Sequence, residues 1–384
     1  MRILHTSDWH VGVTMKGRSR LDEQRAVFKE IVDIARAESV DLVIVAGDLF
    51  DTASPSSEAQ KLLTAALSAL HGTGAEVVVI AGNHDNGKAL DALRDWAHAA
   101  GIHLRGSLGK AADHIVTGTT EGGERWRIAA LPFIAQRHAV RAAELFELGA
   151  AGAEANYADH LRRLVAALTQ GFTADEVNLF TGHLTVVGGK VGGGEREVHT
   201  VADYAVPAAI FPPTTSYVAL GHLHKAQSIN GPCPIRYSGG PLAVDFGEED
   251  HTPSVAIVDV AAGTPAHART VPLTEAVPLQ TVRGSLEQLA KAEVDERAWL
   301  RVFVTEPVRA GLRGEVADLF PRAVQIHIDP VMRADATAPR QRRSGRSPGE
   351  LFTTYLTENG HDDPAVAGLF AELYTDTQTV AEES

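Results

Sequence analysis

Two runs of five apolar residues, 42–46 and 77–81, each end at a glycine that is followed at once by polar, metal-binding residue types. A strand with no polar member is covered on both faces, which is the environment of a parallel sheet rather than a half-exposed antiparallel one. Residues 21–39 carry Val27, Ile31 and Ile34 at helical spacing, and residues 57–70, introduced by Pro55, read the same way. With a first strand over residues 2–6, the order is strand, helix, strand, helix, strand, so the fold class is α/β, built of β-sheet covered by helices. In such a sheet, ligands bind beyond the carboxyl ends of the strands.

Further strands are expected at residues 127–131, 176–181, 217–220 and 254–258, with a helix over 157–170, giving a first domain of residues 1–270. Pro272 and Pro278 bracket a change of texture, and residues 271–333 read as a small α/β capping domain. Residues 334–346 lack periodicity and carry Arg340, Arg342, Arg343 and Arg346, a basic linker. In the last segment, 347–384, Ser347-Pro348-Gly349-Glu350 spells a capping box with proline at the first helical position. Leu351, Phe352, Tyr355 and Leu356 form one apolar face, and a second helix restarts at Asp363-Pro364 with Val366, Leu369, Phe370, Leu373 and Tyr374. Two short amphipathic helices are marginal unless those faces are buried, either by folding back on their own domain or against a partner, and the linker has no apolar anchors that would return them. No apolar run approaches the roughly 18 residues that cross a bilayer. The N-terminus reaches a His and an Asp too early for a secretory signal, so a cytoplasmic, membrane-free protein is expected. With 35 Lys+Arg against 49 Asp+Glu, the net charge of −14 argues against whole-surface attraction to nucleic acid, leaving a local basic groove or a basic partner to supply it. The single cysteine, Cys233, excludes a disulfide framework or a Cys-rich zinc module.

Five polar clusters stand at strand ends: Asp8-Trp9-His10, Gly47-Asp48-Leu49-Phe50-Asp51, Gly82-Asn83-His84-Asp85, Gly182-His183 and Gly221-His222-Leu223-His224. Taken singly, a histidine after a glycine is an ordinary loop residue, and His5, His71, His98, His103, His114 and His251 show how freely this chain uses it. Five in order, all at strand ends, are hard to reach by accident. Asp8, His10, Asp48, Asn83, His183, His222 and His224 are too many ligands for one ion. They suit two divalent ions about 3.5–4 Å apart sharing one carboxylate. Oxygen and imidazole donors without thiolate point to manganese, iron or magnesium, with zinc as the remaining option. The stretch from Gly82 to Ala89 nearly spells a phosphate-binding loop, but Ala89 lacks the hydroxyl that would meet magnesium, so nucleotide binding is rejected. The Gly-rich run 188–194 reads as a loop beside the site, and Lys16, Arg18, Arg20 and Arg25 as phosphate-backbone contacts.

The order D-x-H, G-D-x-x-D, G-N-H-D, G-H, G-H-x-H is similar to that of the calcineurin-like metallophosphoesterase superfamily. MRILHTSDWHVG, VAGDLFDTASPSS and IAGNHD resemble, within it, the bacterial DNA-repair nuclease subunits of the SbcD type. The resemblance implies that Asp8, His10, Asp48 and His224 hold one metal and that Asp48, Asn83, His183 and His222 hold the other. It implies that His84 acts on the scissile phosphate or leaving oxygen as a catalytic residue, with Asp85 as its orienting partner. It further implies two Mn2+ ions, with Mg2+ as the alternative, and exonuclease and endonuclease activity in DNA repair, recombination and replication. The expected partners are DNA and an SMC-like ATPase of the SbcC type, docked through residues 347–384, with a homodimer inside a heterotetramer. Asp51 is followed by Thr52-Ala53 rather than Arg-Gly, which disfavours the phosphoprotein phosphatases, and Gly240 stands where the nuclease branch often has Ser. The alternatives are a small-molecule phosphodiesterase or phosphatase on this fold, or a non-enzymatic scaffold, which would be expected to have lost ligands.

Overall fold

The computed structural model describes residues 1–139, 146, 156–195, 204–328, 348–358, 364–371 and 373. The apolar runs form strands Leu42–Ala46 and Glu76–Ile80, which pair in parallel with each other, and the first also pairs in parallel with Arg2–Thr6. Ile102–Arg105 extends this sheet on one side, and Ser254–Asp259 and His267–Pro272 extend it antiparallel on the other, making six strands. A second six-stranded sheet runs Gln227–Ile229, Ile235–Tyr237, Tyr217–Gly221, Val177–His183, Arg125–Leu131 and Ile115–Thr119, with parallel strands at its centre.

Alternation along each strand sorts the core into layers. Ile3, Leu42, Ile44, Val78 and Ile80 meet Ile128, Leu179 and Ala219 between the sheets. Each large aliphatic side chain buried there contributes about 1.5–3 kcal/mol. Leu4, Val43, Val45, Val77 and Val79 face the other way, onto helices Leu21–Ala37 and Ser57–His71. The second sheet carries helix Tyr157–Thr169 on its outer face through Leu161, Leu164 and Leu168. The apolar strands are thus covered on both faces, by helices on one and by a second sheet on the other. Helix Ser57–His71 starts where Ser56 accepts a hydrogen bond from the Ala59 amide, one residue beyond Pro55.

Met1–Val304 and Arg313–His327 form one compact unit. It includes a three-stranded sheet of Leu279–Gly284, Trp299–Val304 and Ala323–Ile328, whose Leu279 packs with Met15, Ala243 and Phe246. The second unit comprises Thr305–Leu312 and Ile328–Ser384. Within it, helix Pro348–Glu358 is present as expected, and residues 364–371 are helical. Phe352 and Phe370 stack at 4.2 Å and join the two, while Tyr355, Leu369 and Leu373 are exposed. Ser347 and Tyr374, like the linker from 334 to 346, lie outside the described residues. Among the described residues, no helix is long and apolar enough to cross a membrane.

Candidate metal centre

The parallel strands of both sheets release their polar clusters at one edge of the sandwich. Arg2–Thr6 leads to Asp8 and His10, Leu42–Ala46 to Asp48, and Glu76–Ile80 to Asn83 and His84. From the second sheet, Val177–His183 ends on His183 and Tyr217–Gly221 leads to His222 and His224. Backbone bonds lock the turns together: the Asp8 amide donates to Gly47, the His10 amide to Asp48, and the His84 amide to the Asp48 carboxylate. Asp8, His10, Asp48 and His222 all have positive φ, at 55°, 44°, 51° and 100°. For non-glycine residues this costs on the order of 1–3 kcal/mol each, and it concentrates at functional sites. The glycines of the motifs have a matching reason. Gly47 has φ 95° and a Cβ there would enter the His183 ring, while one on Gly82 would strike the Asp48 carboxylate.

Asp8, His10 and His224 converge to within 4.8 Å, as do Asp48, His183 and His222, and His10, Asp48 and His84. The Asn83 amide oxygen lies 2.9 Å from His183 Nε2 and 2.8 Å from His222 Nδ1. His10 Nε2 and His224 Nε2 face each other at 3.1 Å. Two imidazoles bound at right angles to one ion at about 2.1 Å stand about 3.0 Å apart, so this spacing suits shared coordination. Asp48 lies between the groups, with its Oδ2 3.4 Å from His183 Nε2 and 3.8 Å from His10 Nε2. The structure therefore brings all seven expected ligands together around one carboxylate.

The electrostatics call for cations in this place. Burial raises the Asp8 carboxyl above its usual range. Burial would raise Asp48 as well, but His183, His10 and His84 outweigh it and hold the carboxyl well below its ordinary value. Burial would lower His183 and His224. Asp48 instead lifts His183 to about 9, and Glu248, Asp8 and Glu195 lift His224 to about 10. These carboxylates thus favour positive charge at the two imidazoles, charge that divalent ions would supply in place of the protons, and oxygen and nitrogen donors of this kind fit such ions.

Residues outside the motifs orient the ligands. His183 Nδ1–H donates to the Ala46 carbonyl at 2.8 Å and His224 Nδ1–H to Glu248 at 2.5 Å, which leaves each Nε2 turned inward as a lone pair. Glu195, at the end of the Gly-rich loop, accepts from the His224, Gly192 and Gly193 amides. Ser7 donates to Asp8 at 2.5 Å and meets Ser238 at 2.7 Å. The Gly240 amide donates to the His224 carbonyl at 3.1 Å. Glu195 and Glu248 had no motif to announce them; the one available signal is an acid closing a glycine run beside the predicted site.

Two expectations need correction. Asp85 does not orient His84. Its carboxylate accepts the amides of Leu49, Phe50 and Gly82, while His84 Nδ1 donates to the Asp51 carbonyl at 2.8 Å. Asp85 ties two motif loops together, and burial lifts its carboxyl to about 6. Arg20 is not a phosphate contact either. It is 1% exposed, bonded to Glu23 and the Ala243 carbonyl. Arg25 pairs with Asp22 and Arg18 lies over Trp299, which leaves Lys16 exposed at a turn.

Residues 1–226 match the family model described as calcineurin-like phosphoesterase, and residues 275–359 that described as Type 5 capsule protein repressor C-terminal domain. The chain is 39% identical over 312 residues to the SbcD component of nuclease SbcCD from Bacillus subtilis (strain 168), covering 78% of each chain. It is 38% identical over 295 residues to the same component from Rhodobacter capsulatus, covering 73% of this chain and 71% of that one. To that of Escherichia coli (strain K12) it is 32% identical over 321 residues, covering 79% and 78%. A family match over more than half the chain, carried by the residues that build the site, means that this protein belongs to the calcineurin-like phosphoesterase family, in the group of SbcD components of SbcCD nucleases.

Proposed function

We propose that the chain is the nuclease subunit of a DNA-processing complex, hydrolysing DNA phosphodiesters as exonuclease and endonuclease with two metal ions, manganese preferred. The observation that carries the reading is the convergence of Asp8, His10, Asp48, Asn83, His183, His222 and His224 at the edge of two sheets. Divalent ions bound there would activate a water and neutralise the phosphate oxygens during in-line displacement. The chain's own residues do the rest. Asp48 joins the two ligand groups, Asn83 draws His183 and His222 together, and Glu248 and Ala46 fix the imidazole tautomers. His84 stands half-buried with its ring 4.6 Å from that of His10. With Nδ1 bound to the Asp51 carbonyl, its Nε2 is the atom that passes a proton to the leaving oxygen. Imidazole-rich ligand sets suit manganese better than magnesium, which favours oxygen and water.

The helices at 348–358 and 364–371 dock an SbcC-type ATPase through the exposed Tyr355, Leu369 and Leu373, and the nuclease subunit is a homodimer within a heterotetramer. A small-molecule phosphodiesterase would have no use for these helices. Digestion of a labelled duplex and a labelled hairpin in Mn2+, with and without the co-purified ATPase, tests the reading. Cleavage of either DNA is the expected result. Hydrolysis of bis(p-nitrophenyl) phosphate without cleavage of any DNA would favour the small-molecule enzyme.

A further inference from the structure

Residues 243–249 touch both the metal centre and the small three-stranded sheet, and two neighbouring acids divide the contacts between them. Glu248 accepts from His224 Nδ1 at 2.5 Å and from the Val244 amide at 2.7 Å. Glu249 holds the sheet instead. It accepts from the Thr281 amide at 2.6 Å and the Thr281 hydroxyl at 2.5 Å, and Arg301 donates to the same hydroxyl at 3.0 Å while standing 3.7 Å from the Glu249 carboxylate. The Arg301 guanidinium also lies over the Phe246 ring at 4.7 Å, and Phe246 packs with Ala243, Met15 and Leu279 of the sheet.

A second tie reaches the other end of the segment. Buried Arg20 donates to the Ala243 carbonyl and, through two nitrogens, to Glu23. The Glu23 carboxylate in turn accepts from the Val277 amide at 3.0 Å and the Trp299 indole at 3.3 Å, at the entry to two strands of the sheet. Both ends of the segment are thus fastened to the sheet, and Val244 and Glu248 inside it to the His224 imidazole. Phe246 and Glu248 are buried, and a close-packed segment this short passes a displacement of its ends on to its middle. The other ligand group hangs on different supports, His183 on the Ala46 carbonyl and His222 on Asn83.

We infer that Glu249 is a positioning residue of the metal centre, acting through Glu248 on His224, so that metal affinity at Asp8, His10 and His224 depends on the small sheet being seated on the segment 243–249. Coupling between two equilibria is reciprocal, so loading that ligand group holds the sheet in its seat by the same factor by which unseating weakens the binding. Whatever lifts the sheet therefore loosens one ion of the two and spares the other. The inference rests on the two-ion reading of the site and is independent of the substrate.

Calorimetric titration of Mn2+ into the stripped full chain tests this. Glu249→Ala weakens one of the two affinities by about fivefold or more, the lower end of coupling between sites, and leaves the other unchanged. Glu249→Gln, which still accepts the Thr281 amide, retains both. A second readout needs no variant. The Thr281 amide has Glu249 as its acceptor, so its hydrogen exchange in the wild type, followed by mass spectrometry, slows by a similar factor when Mn2+ is added, while the edge strand Ile115–Thr119 is unaffected. Should Glu249→Ala fail to fold, the exchange measurement decides alone. A folded Glu249→Ala variant that binds both ions within twofold of wild type, or Thr281 exchange that Mn2+ leaves unchanged, overturns the coupling while the two-ion reading stands. A wild type that takes up no Mn2+ overturns both.

Discussion

Glu248 is the clearest case of a residue acting on the metal centre without touching it. It is 1% exposed, so water cannot replace its carboxylate, and it accepts from His224 Nδ1 at 2.5 Å and the Val244 amide at 2.7 Å. Replacing it by Ala strands both donors, at a cost of about 1–3 kcal/mol for each buried group left without a partner. It also frees His224 to rotate or to take the other tautomer, which turns its Nε2 lone pair away from His10. Loss of a partner that orients a ligand lowers metal affinity about 10–100-fold, equivalent to about 1.4–2.7 kcal/mol. Only the group of Asp8, His10 and His224 should weaken, because His183 and His222 are held separately by Ala46 and Asn83. Glu248→Gln keeps one acceptor and should lose less than Glu248→Ala. Calorimetric titration of Mn2+ into stripped protein resolves the two affinities. Equal weakening of both sites, or unchanged affinity in a folded Glu248→Ala variant, would refute the reasoning.

His84→Gln should keep its metals while turnover on DNA falls by roughly 10²–10⁴, and metal loss on elemental analysis would make His84 a ligand instead. His5 is buried between the Tyr217 hydroxyl, which donates to Nδ1, and the Leu220 carbonyl, which accepts from Nε2–H, and its pKa falls to about 3. The unfolded chain takes up this proton from about pH 6.5 downward, so the contribution is complete above that pH and is lost as pH falls toward 3. Denaturant unfolding should therefore show a stability slope up to about 1.4 kcal/mol per pH unit steeper in wild type than in His5→Phe, and equal slopes would count against it. Deleting residues from 347 onward should leave metal binding and ATP-independent cleavage intact but abolish ATPase co-purification, which undiminished recovery of the ATPase would contradict.

The convergence of the candidate ligands was legible because each stands just beyond or at a strand end, and four of them, Asp48, Asn83, His183 and His222, follow a glycine; Gly47 against His183 and Gly82 against Asp48 show how such glycines let two strand ends approach. The apolar runs at 42–46 and 77–81 announced burial on both faces but not what covers them. A helix layer and a second sheet leave the same imprint on a strand. Short strands such as Gln227–Ile229 and Ile235–Tyr237 have too few residues for alternation to show. Glu195, Glu248 and Ser238 stayed hidden because their partners are far away in sequence, and a carboxylate that fixes an imidazole looks, in one dimension, like any surface acid. Arg20 and Asp85 misled for the opposite reason. A charge beside a motif suggests ligand contact, yet Asp85 is consumed by the backbone amides of Leu49, Phe50 and Gly82, and Arg20 by the Glu23 carboxylate and the Ala243 carbonyl.

The central claim is that two metal ions share the Asp48 carboxylate. Anomalous scattering at the manganese edge from crystals of Mn2+-loaded protein tests it most directly. Two peaks about 3.5–4 Å apart are expected, one beside Asp8, His10 and His224, the other beside Asn83, His183 and His222, with Asp48 touching both. A single peak, or two peaks of which only one touches Asp48, would contradict it.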